Sequence, residues 1–143
     1  IRGTAEIRQV IDCEPATEED FSTEYLDYIL SVKTVENAEE AIRHINMYGY
    51  HHTDCIITEN RETAALFMQM VDSAGVYQNC STRFADGYRY GLGAEVGIST
   101  GKIHARGPVG LEGLVSYKYK LFGKGQVVDD YASGRKQFHF KNI

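Results

Sequence analysis

The sequence predicts an α/β fold, and three observations carry that reading. Tyr28 to Val35 is rich in β-branched and aromatic residues and holds no breaker, as a buried strand would be; Cys55 to Thr58 and Val76 to Asn79 are shorter runs of the same kind. Two stretches of helical periodicity separate these runs. The order is therefore β-α-β-α-β. Strands joined by helices of this length pair in parallel through right-handed crossovers, so their C-terminal ends open on one edge of one sheet.

Each element has its own justification. Residues Ile1 to Glu19 carry scattered acids and weak strand signals that place no motif, and the start at Ile1 without an initiator methionine reads as the middle of a longer chain. The first helix is announced by Asn37 with Glu40 three residues on, the pattern of a capping box. Ala38, Ala41, Ile42 and Ile45 supply its apolar face, and Gly49 stands where a C-cap glycine is expected. Asn60 caps the second helix, in which Ala64, Phe67, Met68 and Val71 face the core until Gly75 ends it. Most of the 14 glycines lie between Gly87 and Gly125, and Pro108 is expected to open a short helix through Leu111 to Val115. Tyr117 to Phe122 alternates aromatic, cationic and apolar residues, as a strand exposed on one face does. With Gln126 to Tyr131 it makes a hairpin or arm turned at Gly123-Lys124-Gly125, whose unpaired edge suits a neighbouring subunit. A homo-oligomer built through Tyr117 to Tyr131 is the expectation, with a boundary between residues 1–115 and 116–143.

Composition bounds the function. A length of 143 residues with 43% hydrophobic content suits one domain or a piece of one. Fifteen basic against 20 acidic residues, a net charge of −5, argue against nucleic acid as the main partner. Cys13, Cys55 and Cys80 form no Cys-x-x-Cys pair, which argues against a disulfide framework or zinc ribbon and for a reducing compartment. The apolar runs are far shorter than the ~20 residues that span a bilayer, and no secretory signal pattern opens the chain, so a soluble protein is expected.

The polar groups of greatest interest lie between Ser73 and Leu114, where Ser81, Thr82, Arg83 and Asp86 follow at once on a strand end, the usual location of binding loops. Arg83 and Arg106, with Ser81, Thr82, Ser99 and Thr100 nearby in sequence, either clamp a small anion with planar guanidinium forks or form internal ion pairs with Asp86, Glu95 or Glu112. Cys80 is either a nucleophilic thiolate at a strand end or, more in keeping with its residue type, a buried and unreactive cysteine. His51, His52 and Asp54 have the residue types of a metal site, but neighbouring histidines on an extended segment point to opposite sides and no distant fourth ligand is evident, so no metal is assigned. His44, on the first helix, is expected to bond a carbonyl. Gly91-Leu92-Gly93 lacks the third glycine, the preceding strand and the downstream acid of a dinucleotide fingerprint.

Two segments resemble a known family. VENAEEAIRHINMYGYHHTDCI, Val35 to Ile56, is similar to the signature segment of the gamma-glutamyl phosphate reductases, matching at Val35, Ala41, His44, Ile45, Tyr48, Gly49, His52, Thr53, Asp54 and Ile56. The second run matches at Ser81-Thr82-Arg83-Phe84, Asp86-Gly87, Gly91, Gly93-Ala94-Glu95-Val96 and His104-Ala105-Arg106-Gly107-Pro108. The likeness extends from about Tyr25 to Tyr131. Tyr50 stands where the family usually has Ser or Thr, and Cys80 where it commonly has alanine, which tells against Cys80 as the family's nucleophile.

The resemblance implies an aldehyde dehydrogenase-like catalytic domain followed by a β oligomerisation arm, and a chain that is the C-terminal portion of an enzyme. It implies a reductive dephosphorylation: a thiolate displaces phosphate from L-glutamyl 5-phosphate, and hydride from NADP(H) reduces the thioester to L-glutamate 5-semialdehyde, in proline biosynthesis. It places that cysteine and most of the cofactor site in parts of the enzyme outside this sequence. Asn79, Ser81, Thr82 and Arg83 are then candidates to hold the substrate, and Asp27 is loosely matched to an acid near the nicotinamide ribose. The ending Phe138 to Ile143 resembles the tail of a stand-alone, fungal-type enzyme, which favours cytoplasm; a fused kinase-reductase would favour the mitochondrion.

Overall fold

The structure, a computed structural model, describes residues 1–141; Asn142 and Ile143, the end of the tail just discussed, lie outside the described residues. The elements run β1 (Arg2–Gly3), α1 (Ala5–Arg8), β2 (Glu14–Pro15), β3 (Ser31–Val32), α2 (Ala38–Tyr48), β4 (Thr53–Ile56), α3 (Arg61–Met70), β5 (Gly75–Gln78), β6 (Gly97–Ser99), β7 (Gly107–Val109) and α4 (Val128–Ala132), with 3-10 turns at Glu19–Ser22, Thr82–Phe84 and Leu111–Leu114. The chain order β3-α2-β4-α3-β5 is the β-α-β-α-β succession that the sequence predicts. β4 and β5 pair in parallel, from Thr53 opposite Gly75 to Ile56 opposite Gln78.

β3 departs from expectation. It is two residues long and pairs in parallel with β1, which also pairs with β2, so it joins a separate sheet of order β2-β1-β3. Local hydrogen bonds explain the short strand. The Tyr28 amide donates to Asp27 Oδ1 at 2.7 Å and the Ile29 amide to the Asp27 carbonyl at 2.8 Å, which bends residues 27–29 out of extended form. At the other end the Glu36 amide donates to Glu40 Oε2 at 2.9 Å, committing residues 36–40 to the start of α2.

Both helix caps form as the sequence indicates. Asn37 Oδ1 accepts from the Glu40 amide at 2.9 Å, and Asn60 Oδ1 from the Thr63 amide at 3.0 Å. Gly49 closes α2 with its amide on the Ile45 carbonyl, but at φ −70° rather than in the left-handed region. It is glycine for lack of room: a Cβ there would sit 2.7 Å from the Ile45 carbonyl oxygen. The core lies where α2, α3 and the β4-β5 pair meet. Ile42, Phe67 and Val71 are buried together, with Ile45, Ile56, Leu66 and Val76 packed against them. Met68, expected on the same face, is exposed, because one residue of helix turns it about 100° away from Phe67.

The glycine-rich region holds an antiparallel pair the sequence did not suggest, β6 with β7, in which Ile98 faces Pro108. Pro108 therefore lies in a strand, and the short helical turn begins three residues later at Leu111. A two-strand ladder has a free edge, so the missing proline donor is tolerated. Beyond Val115, residues 116–127 carry no paired strand, and Val128–Ala132, expected in a hairpin, is helical. Arg135 and Lys136 grip Asp129 and Asp130 at the start of that helix, and a lone hairpin without a face to bury has little to hold it.

Phe67 is 3% exposed, whereas Met68 beside it is 45% exposed. Phe67→Ala is expected to lower the unfolding free energy by about 3–5 kcal/mol, read from the urea midpoint, while Met68→Ala shifts it by less than about 0.5 kcal/mol.

Candidate functional site

β4 and β5 end side by side, and the residue that turns the chain away from them is Asn79. Its backbone lies in the left-handed region, φ 55°, where asparagine is tolerated better than most side chains. Its amide continues the ladder by donating to the Ile56 carbonyl at 2.9 Å. The side chain then reaches across: Oδ1 accepts from the Thr58 amide at 2.8 Å and Nδ2 donates to the Thr58 carbonyl at 2.9 Å. Both faces of the amide are thus occupied within the protein. Gln78 Nε2 adds a second bond to the Thr58 carbonyl, and Cys55 Sγ donates to the Cys80 carbonyl at 3.1 Å.

Ser81, Thr82 and Arg83 follow on a 3-10 turn. Ser81 Oγ accepts from the Arg83 amide at 3.2 Å, which leaves its hydroxyl proton free to donate outward. The Thr82 hydroxyl and the Arg83 guanidinium have no hydrogen-bond partner among the described residues, and both residues are exposed. Ser81, Arg83, Phe84 and Arg89 line a concavity of about 330 Å³. Cys80 is exposed beside it, which corrects the expectation of a buried cysteine. The turn of Asn79 out of the ladder carries Cys80 past the packed part of β5.

Arg106 is not part of this concavity. It took the ion-pair alternative, but with an acid the sequence did not suggest: Nη2 donates to Asp72 Oδ1 at 3.1 Å and to the Asp72 carbonyl at 3.0 Å. Lys102 Nζ lies 2.5 Å from Asp72 Oδ2, and the two cations, Lys102 first, hold the Asp72 carboxyl below its usual range. Asp86 pairs with Arg89 at 3.0 Å, and its Oδ1 accepts from the Tyr88 and Arg89 amides. Glu95 Oε1 accepts from the Gly87 amide at 3.2 Å. Gly87 admits no side chain, since a Cβ would come within 2.2 Å of the Ala94 carbonyl oxygen, so the loop closes on itself just behind Arg89.

The residues with metal-site chemistry are engaged locally. His51, in the left-handed region at φ 59°, sets Nδ1 2.7 Å from the Asp72 carbonyl, His52 Nδ1 is 2.6 Å from Thr53 Oγ1, and Asp54 Oδ2 accepts from Ser73 Oγ at 2.5 Å. Among the described residues no group of three or more His, Cys, Asp or Glu is arranged to hold a metal ion. His44 makes no carbonyl bond; its ring packs edge-on against Phe21 at 4.8 Å and against Tyr48 at 4.7 Å, and burial pushes its pKa down.

Asp27 sits elsewhere, on the rim of a concavity of about 480 Å³ in front of β3, with Tyr25, Leu30, Ser31 and His44 among its walls. Asp20 also lines that concavity, held by several donors. Asp20 is buried and accepts from Tyr25 Oη at 2.6 Å, the Thr17 amide at 2.6 Å, Thr17 Oγ1 at 2.8 Å and Arg2 Nη1 at 2.5 Å.

No family model matches the chain. Curated proteins do. It is 65% identical over 136 residues, 95% of the chain, to the gamma-glutamyl phosphate reductase of Acetivibrio thermocellus, and 58% identical over all of its length to that of Ruminiclostridium cellulolyticum. The solved structure of a gamma-glutamyl phosphate reductase from Thermotoga maritima superposes with a TM-score of 0.85 at 50% identity over 88% of the chain. Over nearly its whole length this chain is similar to gamma-glutamyl phosphate reductases. It spans about a third of the length of the curated relatives it matches, 32% and 33% in the two named. The Ser81–Arg83 turn lies within the second of the two segments that carried the resemblance, and the Asn79 bridge to Thr58 lies just before it. Arg89 lay in that segment too and was not singled out; its distance from Asp86, three residues on, is the signal that marks it. The fungal-type reading of the tail gains no support from these bacterial matches, and no described helix is long and apolar enough to cross a membrane.

The hydrogen bonds to Asp20, from Tyr25 first and then Thr17 and Arg2, hold its carboxyl far below the usual carboxylate range. A depressed folded-state pKa contributes stability that is present above the unfolded value of about 3.9 and is lost as pH falls toward the folded one. Asp20→Asn is therefore expected to destabilise the protein at pH 7, with the gap to wild type closing steadily below about pH 4 in denaturant titrations.

Proposed function

We propose that the chain acts as the C-terminal portion of an NADP(H)-dependent gamma-glutamyl phosphate reductase, converting L-glutamyl 5-phosphate to L-glutamate 5-semialdehyde and phosphate in proline biosynthesis. Residues 1–115 contribute the end of the catalytic domain, and residues 116–143 the oligomerisation arm and tail. One observation carries the reading: an unpaired guanidinium, Arg83, stands with the Ser81 hydroxyl on a concavity at the C-terminal ends of two parallel strands, in a chain so similar to proteins of that name. Ligands of open α/β sheets bind at such strand ends.

In this reading Arg83 grips an anionic group of the substrate, Ser81 and Thr82 donate hydrogen bonds to it, and Asn79 holds the turn in place. Gly91 and Gly93 lie in a loop with no strand leading into them, which supports assigning the dinucleotide cradle to other parts of the enzyme. The cofactor, which supplies hydride, and the nucleophilic thiol come from other parts of the enzyme. Asp27 keeps a secondary place as a group near that cofactor. We place the protein in the cytoplasm, following its bacterial relatives.

A second reading, a non-catalytic assembly module, is favoured by the arm. Tyr117, Tyr119, Leu121 and Phe122 are 80–93% exposed, an apolar row that would be covered in an oligomer. The readings separate on cofactor-dependent phosphate release, which the portion reading ties to the longer enzyme.

In a full-length reductase of this sequence, Arg83→Ala should raise KM for the acyl phosphate about 10- to 100-fold, the loss expected for one charge-assisted hydrogen-bond clamp. Unchanged steady-state kinetics would contradict the assignment. Deleting Lys118 to Asp130 should leave a smaller species in light scattering; an unchanged mass would remove the arm from the oligomer interface.

A further inference from the structure

Arg106, the expected partner of Arg83, is tied to Asp72, yet a second guanidinium does line the concavity. Arg89 shares it with Ser81, Arg83 and Phe84. One nitrogen anchors Arg89: Nη1 donates to the Arg83 carbonyl at 3.2 Å and forms an ion pair with Asp86 Oδ2 at 3.0 Å. That leaves Nε and Nη2 with no partner among the described residues. Asp86 is in turn fixed by the Tyr88 and Arg89 amides and is not among the residues that line the concavity. Arg89 is thus a positioned cation with donors to spare, on the same wall as an unpaired one.

Asp86 offsets the charge of Arg89, so what the second fork adds to this open concavity of about 330 Å³ is hydrogen-bond donors, Nε and Nη2, beside the unpaired fork of Arg83. A carboxylate offers two acceptor oxygens; a phosphoryl group offers three, enough for two forks and the Ser81 hydroxyl. We propose that Arg83 and Arg89 together form a phosphate-binding site, with Arg89 the positioning cation that makes it selective for a phosphoryl dianion over a carboxylate. This rests on the reading of Arg83 as an anion-binding residue and goes further by naming the anion and the second ligand. The Asp86 pair has a defined part in it: it sets the Arg89 plane before the ligand arrives, so less ordering is required on binding.

The test is a titration of the chain with inorganic phosphate and, separately, acetate, at a pH where phosphate is a dianion, followed by the side-chain Nε–H signals of Arg83 and Arg89. Wild type should show saturable shifts of both signals with phosphate and bind acetate at least about 10-fold more weakly. Arg83→Gln and Arg89→Gln should each weaken phosphate about 10-fold or more, while Arg89→Gln weakens acetate by a clearly smaller factor. Glutamine at position 89 can still bond Asp86 and the Arg83 carbonyl, and unshifted Tyr88 and residue-89 backbone amides would show that the loop is intact. If Arg89→Gln binds phosphate as wild type does while Arg83→Gln does not, the two-cation site is wrong and the role of Arg83 stands. If wild type shows no saturable shift with either anion, both are lost.

Discussion

The carboxamide of Asn79 bridges the amide and the carbonyl of Thr58, and the placing of the whole candidate site follows from that bridge. A four-residue strand pair is short, and chain leaving it would ordinarily fray. Here the β5 exit is bonded to the β4 exit by backbone and side chain at once, so the turn carrying Ser81, Thr82 and Arg83 extends a packed layer instead of hanging from it. The buried cluster of Ile42, Phe67 and Val71 holds that layer from behind. Asparagine suits the position because it accepts φ 55° and presents a donor and an acceptor in one plane.

This arrangement separates two uses of polar groups that look alike in the sequence. Asp72 gathers His51, Lys102 and Arg106 and joins the β4 entrance to the region before β7. Those residues are consumed in holding the fold. Arg83 and Arg89 remain open toward a concavity, and Asp86 steadies one of them without closing the site. An internal tie and a binding fork differ only in whether an acid lies within reach, and that depends on how the glycine-rich loops return.

The helices, their asparagine caps and the β4-β5 pair were legible, because capping residues and 3.6-residue periodicity are local signals. The partner of β3 was not: β1 is Arg2–Gly3, two residues that carry no pattern, and the pairing spans nearly 30 residues of sequence. The β6-β7 pair was hidden because Gly97 and Gly107 weaken strand signals and Pro108 reads as a helix opener. The arm reads as a strand from its alternation, yet a strand needs an edge to pair with, and residues 117–122 lie against none of the edges of the described sheets. Of the site, the turn after β5 and Arg83 were readable from a hydroxyl and guanidinium cluster at a strand end. The division of labour between Arg106 and Arg89 was not, since it is decided by Asp72 and Asp86 through contacts that spacing does not determine for Asp72, 34 residues from Arg106.

The claim that the site is a rigid continuation of the β4-β5 layer is tested most directly by amide hydrogen exchange at Thr58 and Asn79. Bonded as described, both amides should exchange as slowly as the ladder amides of β5. Exchange of the Thr58 amide at the rate of an open loop, with the β5 ladder still protected, would mean that the Asn79 bridge does not form and that the Ser81–Arg83 turn is not held by it.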